Sequence, residues 1–252
     1  MDKKLYLVSD LSSVSGLLWG GCGLPAWHGV PALQDDQLRH QMSLVVNEAV
    51  DVAVQCGVDE ILVHEACPLD LEILHPATRI IRGSKSLYLD HTFSGLCFLG
   101  QGLTASIPFP DNYPKNLRNI QLNGTEVDEL TIMALYAATL NVPVILAHGE
   151  ESSFQHLKKY VPALMVSSII DSVLRENLDS LDALPKPVVQ GPIEMEYIFD
   201  SPVFADMHCR LPGVRRISDL ATAVSAKNMQ EAFASYCAVG LVAAVDWVRR
   251  DS

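Results

Sequence analysis

The chain has 252 residues, 49% of them hydrophobic and 19% charged, with a formal net charge of −12. That length suits one large or two modest domains, and so much apolar material builds a core, which argues against a disordered chain. The acidic balance, with no Lys/Arg cluster to offset it, excludes nucleic acid as the expected partner, since phosphate binding draws on basic patches.

An apolar run at residues 5–9 reads as a buried strand that stops on Asp10, with Ser/Gly-rich chain following at once. Strand ends of this kind carry the chemistry of α/β proteins, although an Asp there equally serves as a turn or cap residue. Residues 17–33 form a long Gly- and Pro-rich connection with Trp19 and Trp27; loops of that length usually cover a site or make subunit contacts. Residues 34–56 repeat apolar side chains at helical spacing (Leu38, Met42, Val45, Val46, Ala49, Val52, Ala53) until Gly57 ends the run. Strands are expected at 60–64, 78–81, 95–100 and 120–122, the last entering a tight Asn123-Gly124 turn. A helix at 128–140, a strand at 143–148 and helices at 151–160 and 168–178 complete the alternation. Strands alternating with helices imply an α/β fold with a mostly parallel sheet flanked by helices.

After Pro185-Lys186-Pro187 the pattern changes to an extended stretch at 188–199, a helix at 201–211 and a long apolar helix at 228–249. The expectation is an α/β domain at 1–185 that carries the site and a smaller α+β lobe at 186–252. The six cysteines are scattered without CxxC pairs, as reduced thiols of a cytoplasmic protein are. The N-terminus enters a strand directly with no signal peptide, and no run of about 18 apolar residues predicts a membrane span.

Several segments resemble, in order and spacing, the D-aminopeptidase (DppA) family of zinc metallopeptidases. They are KLYLVSDLSSVSGL, GVDEILVHEAC, FSGLCFLGQGLTAS, LNGTEVDEL and NVPVILAHGEE, then LPGVRRI and AKNMQEAF near the C-terminus. The resemblance implies two zinc ions at the strand ends, held by the Asp and Glu of a D-x-E motif, two histidines and a helix Glu, with a further histidine for catalysis. Asp10 matches the first ligand and Glu129 the last. Ser12 stands at the D-x-E glutamate, Cys67 and Gly102 at the two ligand histidines, and Tyr113 near the catalytic one.

Those replacements remove most of a dinuclear site, which needs several anionic or imidazole donors. Asp10, His64, Cys67 and Glu129 make a mixed N/S/O set that one zinc tolerates, provided the chain bends after His64. Cys67 is alternatively a nucleophile for acyl chemistry, with Asp10 or Glu65 to orient or deprotonate it and His64 or Lys115 nearby. It is alternatively a small buried apolar residue. Ser12, Gln101 and Gly102 are the candidates for contacting substrate. His148-Gly149-Glu150-Glu151 follows a strand and resembles a ligand group, while the two glutamates also suit a helix start. Glu194 and Glu196 share a strand face, the mark of a solvated sheet face. His28, His91 and His208 read as surface or packing residues.

The leading functional expectation is a hydrolase of small peptides or related amides, with an altered metal site or a Cys nucleophile. The alternatives are a catalytically inactive homologue that binds a small molecule or acts as a scaffold, and a biosynthetic tailoring enzyme on the same fold. The resemblance also implies a ring-shaped homo-oligomer with its sites facing an inner channel.

Overall fold

The computed structural model describes residues 3–9, 32–65, 69–82, 88–101, 117–189 and 191–250, with backbone alone for 32–38 and 240–250. Strand β1 (Lys4–Ser9) is buried along nearly its whole length. A strand apolar on both faces belongs in a parallel sheet covered on both sides. It lies at the centre of such a sheet, joined in parallel by β2 (Glu60–Glu65) and β4 (Gly95–Gln101). Strands β3 (Thr78–Ile81), β7 (Val144–Gly149) and β8 (Val166–Ser167) extend it to six strands in the order β3-β2-β1-β4-β7-β8.

Helices α1 (Ala32–Gln55) and α4 (Asp171–Asp179) cover one face, where Leu5, Leu7, Ile61 and Val63 meet Met42, Val46, Val50 and Leu174. The opposite face presents Tyr6, Val8, Leu96 and Phe98 to α2 (Glu129–Thr139) and to Phe154 and Leu157, the latter in α3 (Gln155–Lys158). Helix α2 is apolar nearly all round because it is buried on two sides. Its Ile132 and Leu135 belong to a second core formed with an antiparallel sheet.

That sheet runs β10-β11-β9-β5-β6. Strands β5 (Leu117–Leu122) and β6 (Thr125–Val127) join it from the middle of the chain; β9 (Ile193–Phe199), β10 (Val214–Arg216) and β11 (Ala221–Ala226) come from the C-terminal part. It therefore takes strands from both sides of residue 185. Helices α5 (Pro202–His208) and α6 (Met229–Arg250) pack on it, and Phe233 of α6 stacks on Tyr136 of α2 with ring centroids 4.0 Å apart. Along β9, Ile193, Met195, Tyr197 and Phe199 are buried while Glu194 and Glu196 face outward, with Glu194 paired to Arg215. The expected solvated face is thus present. Among the described residues no helix is long and apolar enough to cross a membrane.

The helix expected at 151–160 is instead a 3-10 turn (Glu151–Phe154) followed by the short α3, and β6, β8, β10 and β11 are additional strands. Strand β8 has two residues and β11 is built from small side chains, so neither carries a propensity signal.

Candidate active site

The parallel strands end almost level. Ser9 is in register with Glu65 on one side and with Leu99 on the other, and Gln101 is in register with Gly149. The chain therefore leaves β1, β2, β4 and β7 along one edge, the carboxyl edge where α/β sheets place their ligands. Asp10 and Cys67 follow within two residues of β1 and β2, and Gly102 directly follows β4. Asp10, Ser12, Cys67, Gly102, Tyr113 and Lys115 lie outside the described residues, as does nearly all of the 17–33 connection.

His64 is buried, 2% exposed, and alternation along β2 puts it with Leu62 on the sheet face covered by α2. Its carbonyl accepts a hydrogen bond from the Ser9 hydroxyl at 3.0 Å. Glu65 points to the other face. One of its oxygens accepts from the Leu69 amide at 2.7 Å and the other is held by Arg82. Both oxygens are thus engaged, which leaves little freedom for proton transfer.

Gln101 is fully buried, and its side-chain amide donates to the Leu99 carbonyl at 3.1 Å. Its backbone carbonyl accepts from the Glu150 amide at 2.9 Å. Between Phe98–Ala147 and Gln101–Gly149, β4 sets two residues opposite the single His148. This is a β-bulge, with Gly100 at φ 71°. His148 Nδ1 accepts the displaced Gly100 amide at 3.1 Å. A nitrogen that accepts carries no proton, so the ring is neutral with its hydrogen on Nε2, and burial pushes the His148 pKa down in the same direction. Glu151 opens the 3-10 turn and pairs with Lys158.

Glu129 is the first residue of α2, 6% exposed, where a carboxylate suits the helix dipole. The preceding Asp128 is fully buried, and its Oδ1 caps the helix by accepting from the Thr131 amide at 2.8 Å. Its Oδ2 faces His156 Nδ1 of α3 at 3.6 Å. Desolvation pushes the Asp128 carboxyl above the usual carboxylate range, against the opposing pull of Thr131 and His156. In the sequence Asp128 marks no more than a helix start. An Asp-Glu pair at a helix start was the available signal for Asp128, and none marked His156.

The Cys97 thiol is fully buried and burial pushes its pKa up, so it is a packing residue. Zinc takes three or four donors. Of the mixed set named above, His64 and Glu129 alone are described, and among the described residues no three His, Cys, Asp or Glu side chains are grouped to hold a metal. The described donors do not by themselves amount to a zinc centre.

A sequence model of the family described as D-aminopeptidase (peptidase family M55) matches residues 19–173. The chain belongs to the D-aminopeptidase family. A D-aminopeptidase of Bacillus subtilis (strain 168) is 25% identical over 191 residues, spanning 71% of this chain and 67% of that protein. The fold also matches the solved structure of a Zn-dependent D-aminopeptidase, DppA from Bacillus subtilis, described as a self-compartmentalizing protease. That match has a TM-score of 0.76 at 22% identity and covers 95% of this chain and 97% of the other. The family's α/β architecture is therefore the architecture of this chain.

Proposed function

We propose that this member of the D-aminopeptidase family hydrolyses small peptides or related amides at the carboxyl edge of its parallel sheet. Family membership supports the reaction class, and the level register of Ser9 with Glu65 and Leu99 supports the location. That register is the observation the reading rests on, because it starts the segments bearing Asp10 and Cys67 from neighbouring strands.

In this reading Cys67 is the nucleophile. Its sulfur adds to the amide carbonyl carbon, and the C–N bond breaks as the amine leaves with a proton. Water then hydrolyses the thioester and returns the thiol. Asp10 and Glu129 are the groups that move the proton, while Glu65 is held by the Leu69 amide and Arg82. Ser12, Gln101 and Gly102 contact the substrate, and Tyr113 stands near the position of the family's catalytic histidine. Zinc enters through kinship with a Zn-dependent neighbour, with Asp10, His64, Cys67 and Glu129 as the donors this chain offers to one ion.

The test uses D- and L-alanyl p-nitroanilides with purified protein, assayed with and without added zinc. Wild type is expected to release p-nitroaniline and Cys67→Ala to lose the activity under either role of the sulfur; full activity in the variant removes both roles. A second reading, a non-catalytic binding homologue, is favoured by Ser12, Cys67 and Gly102 standing where metal ligands are implied. Saturable binding of a peptide without turnover would mark it.

The self-compartmentalizing neighbour supports a homo-oligomer, of ring form in this reading, which light scattering tests. A cytoplasmic location is part of the same proposal.

A further inference from the structure

Asp128 is a carboxylate with two separate tasks. Oδ1 caps α2 through the Thr131 amide at 2.8 Å. Oδ2 is sealed from solvent with no hydrogen-bond donor in reach among the described residues, and the polar group it faces is His156 Nδ1 at 3.6 Å. His156 Nδ1 is likewise buried with no hydrogen-bond partner among the described residues, and two such atoms are costly to bury unless each offsets the other electrostatically. His156 is also nearly enclosed, its side chain 10% exposed.

The two residues join parts of the fold that no strand pairing connects directly. Asp128 sits where β6 turns into α2, one residue before Glu129. His156 sits in α3, seven residues after Gly149 ends β7, on chain that has just left the carboxyl edge. Capping requires only Oδ1, and an asparagine or serine would do it equally well. A carboxylate whose second oxygen faces a histidine does something more: it ties the amino end of α2 to the outgoing chain of β7.

We propose that Asp128 and His156 are a positioning pair that sets Glu129 against the carboxyl edge of the parallel sheet. The pair acts through Glu129 and touches no substrate. This inference rests on the hydrolase reading for its kinetic consequence, but its structural consequence stands apart from it. Mispositioning a reacting group by about 1 Å costs on the order of a hundredfold in rate.

The test compares wild type with Asp128→Asn, His156→Gln and the double variant. Asn keeps the cap but cannot present a carboxylate to His156. Two readouts are taken, kcat and KM on D-alanyl p-nitroanilide, and hydrogen exchange of the amides at 129–132. Each single variant is expected to lose about ten- to a hundredfold in kcat with KM changed less than about twofold. Each is also expected to exchange about tenfold faster at those amides, and the double variant to be no worse than the poorer single one. Unchanged exchange in Asp128→Asn would show that capping is its whole role and overturn the proposal. Losses that multiply in the double variant would show that the two residues act separately, and also overturn it. A wild type that turns over none of the probes counts against the hydrolase reading, and the exchange measurement then decides the pairing alone.

Discussion

His208 makes the stability of the antiparallel-sheet core dependent on pH. Its ring is fully buried, with Nδ1 2.6 Å from the Thr222 hydroxyl and the rings of Tyr197 and Phe199 against it at centroid distances of 5.0 and 5.6 Å. Nε2 is sealed with no hydrogen-bond partner among the described residues, so a proton there would carry charge into an apolar place. Burial pushes the pKa down from 6.5 to about 4. A depressed histidine pKa means the unfolded chain takes the proton first. The stability from the neutral ring is complete above about pH 6.5 and is lost as pH falls toward 4. By linkage the loss is about 2 kcal/mol at pH 5 and about 3 kcal/mol at pH 4. Urea unfolding at pH 7.5 and pH 5 reads it, with His208→Gln as the variant that cannot titrate. Wild type is expected to lose about 2 kcal/mol more than the variant between those two pH values. Equal losses would refute the reasoning, whatever the variant's absolute stability.

Other consequences follow from packing. Gly149 has φ 148°, and a Cβ there would lie 2.0 Å from the Gln101 carbonyl oxygen. Gly149→Ala is therefore expected to cost about 3 kcal/mol or more and to disturb the carboxyl edge; an unchanged thermal midpoint would contradict it. Phe233→Ala removes the stack on Tyr136 that joins α6 to α2 and is expected to cost about 3–5 kcal/mol in denaturant unfolding. A cost under about 1 kcal/mol would show that the contact is not central to the second core. Arg82→Ala frees one oxygen of Glu65 while the Leu69 amide keeps the other. Limited proteolysis is expected to cut the chain between Glu65 and Leu69 faster in this variant, and an unchanged cleavage rate would deny the tether.

The parallel sheet was legible because its strands are continuous apolar runs and its helices keep their period; β1, β2, β4 and β7 appear where those runs stand. The antiparallel sheet was legible in part. The alternation of Ile193, Met195, Tyr197 and Phe199 marks β9, whereas β11 is written in small residues whose strand character comes from pairing with β9. That β5 and β6 join this sheet depends on contacts across more than sixty residues of chain, which no local pattern encodes.

The site was legible where a motif names its residue. Glu129 falls at a helix start, as the LNGTEVDEL segment implies. Glu65 was not, because its engagement by Leu69 and Arg82 arises only in the folded chain. The Asp128–His156 contact and the His148 acceptor role were likewise invisible, since each depends on a bulge or a helix crossing that the sequence does not announce.

The most direct measurement is the rate of p-nitroaniline release from D-alanyl p-nitroanilide by wild type and by Glu129→Gln, with thermal midpoints taken on both. An active carboxyl edge gives turnover in the wild type and a loss of about a hundredfold or more in the variant at nearly unchanged stability. Equal rates in the two proteins would place the chemistry elsewhere.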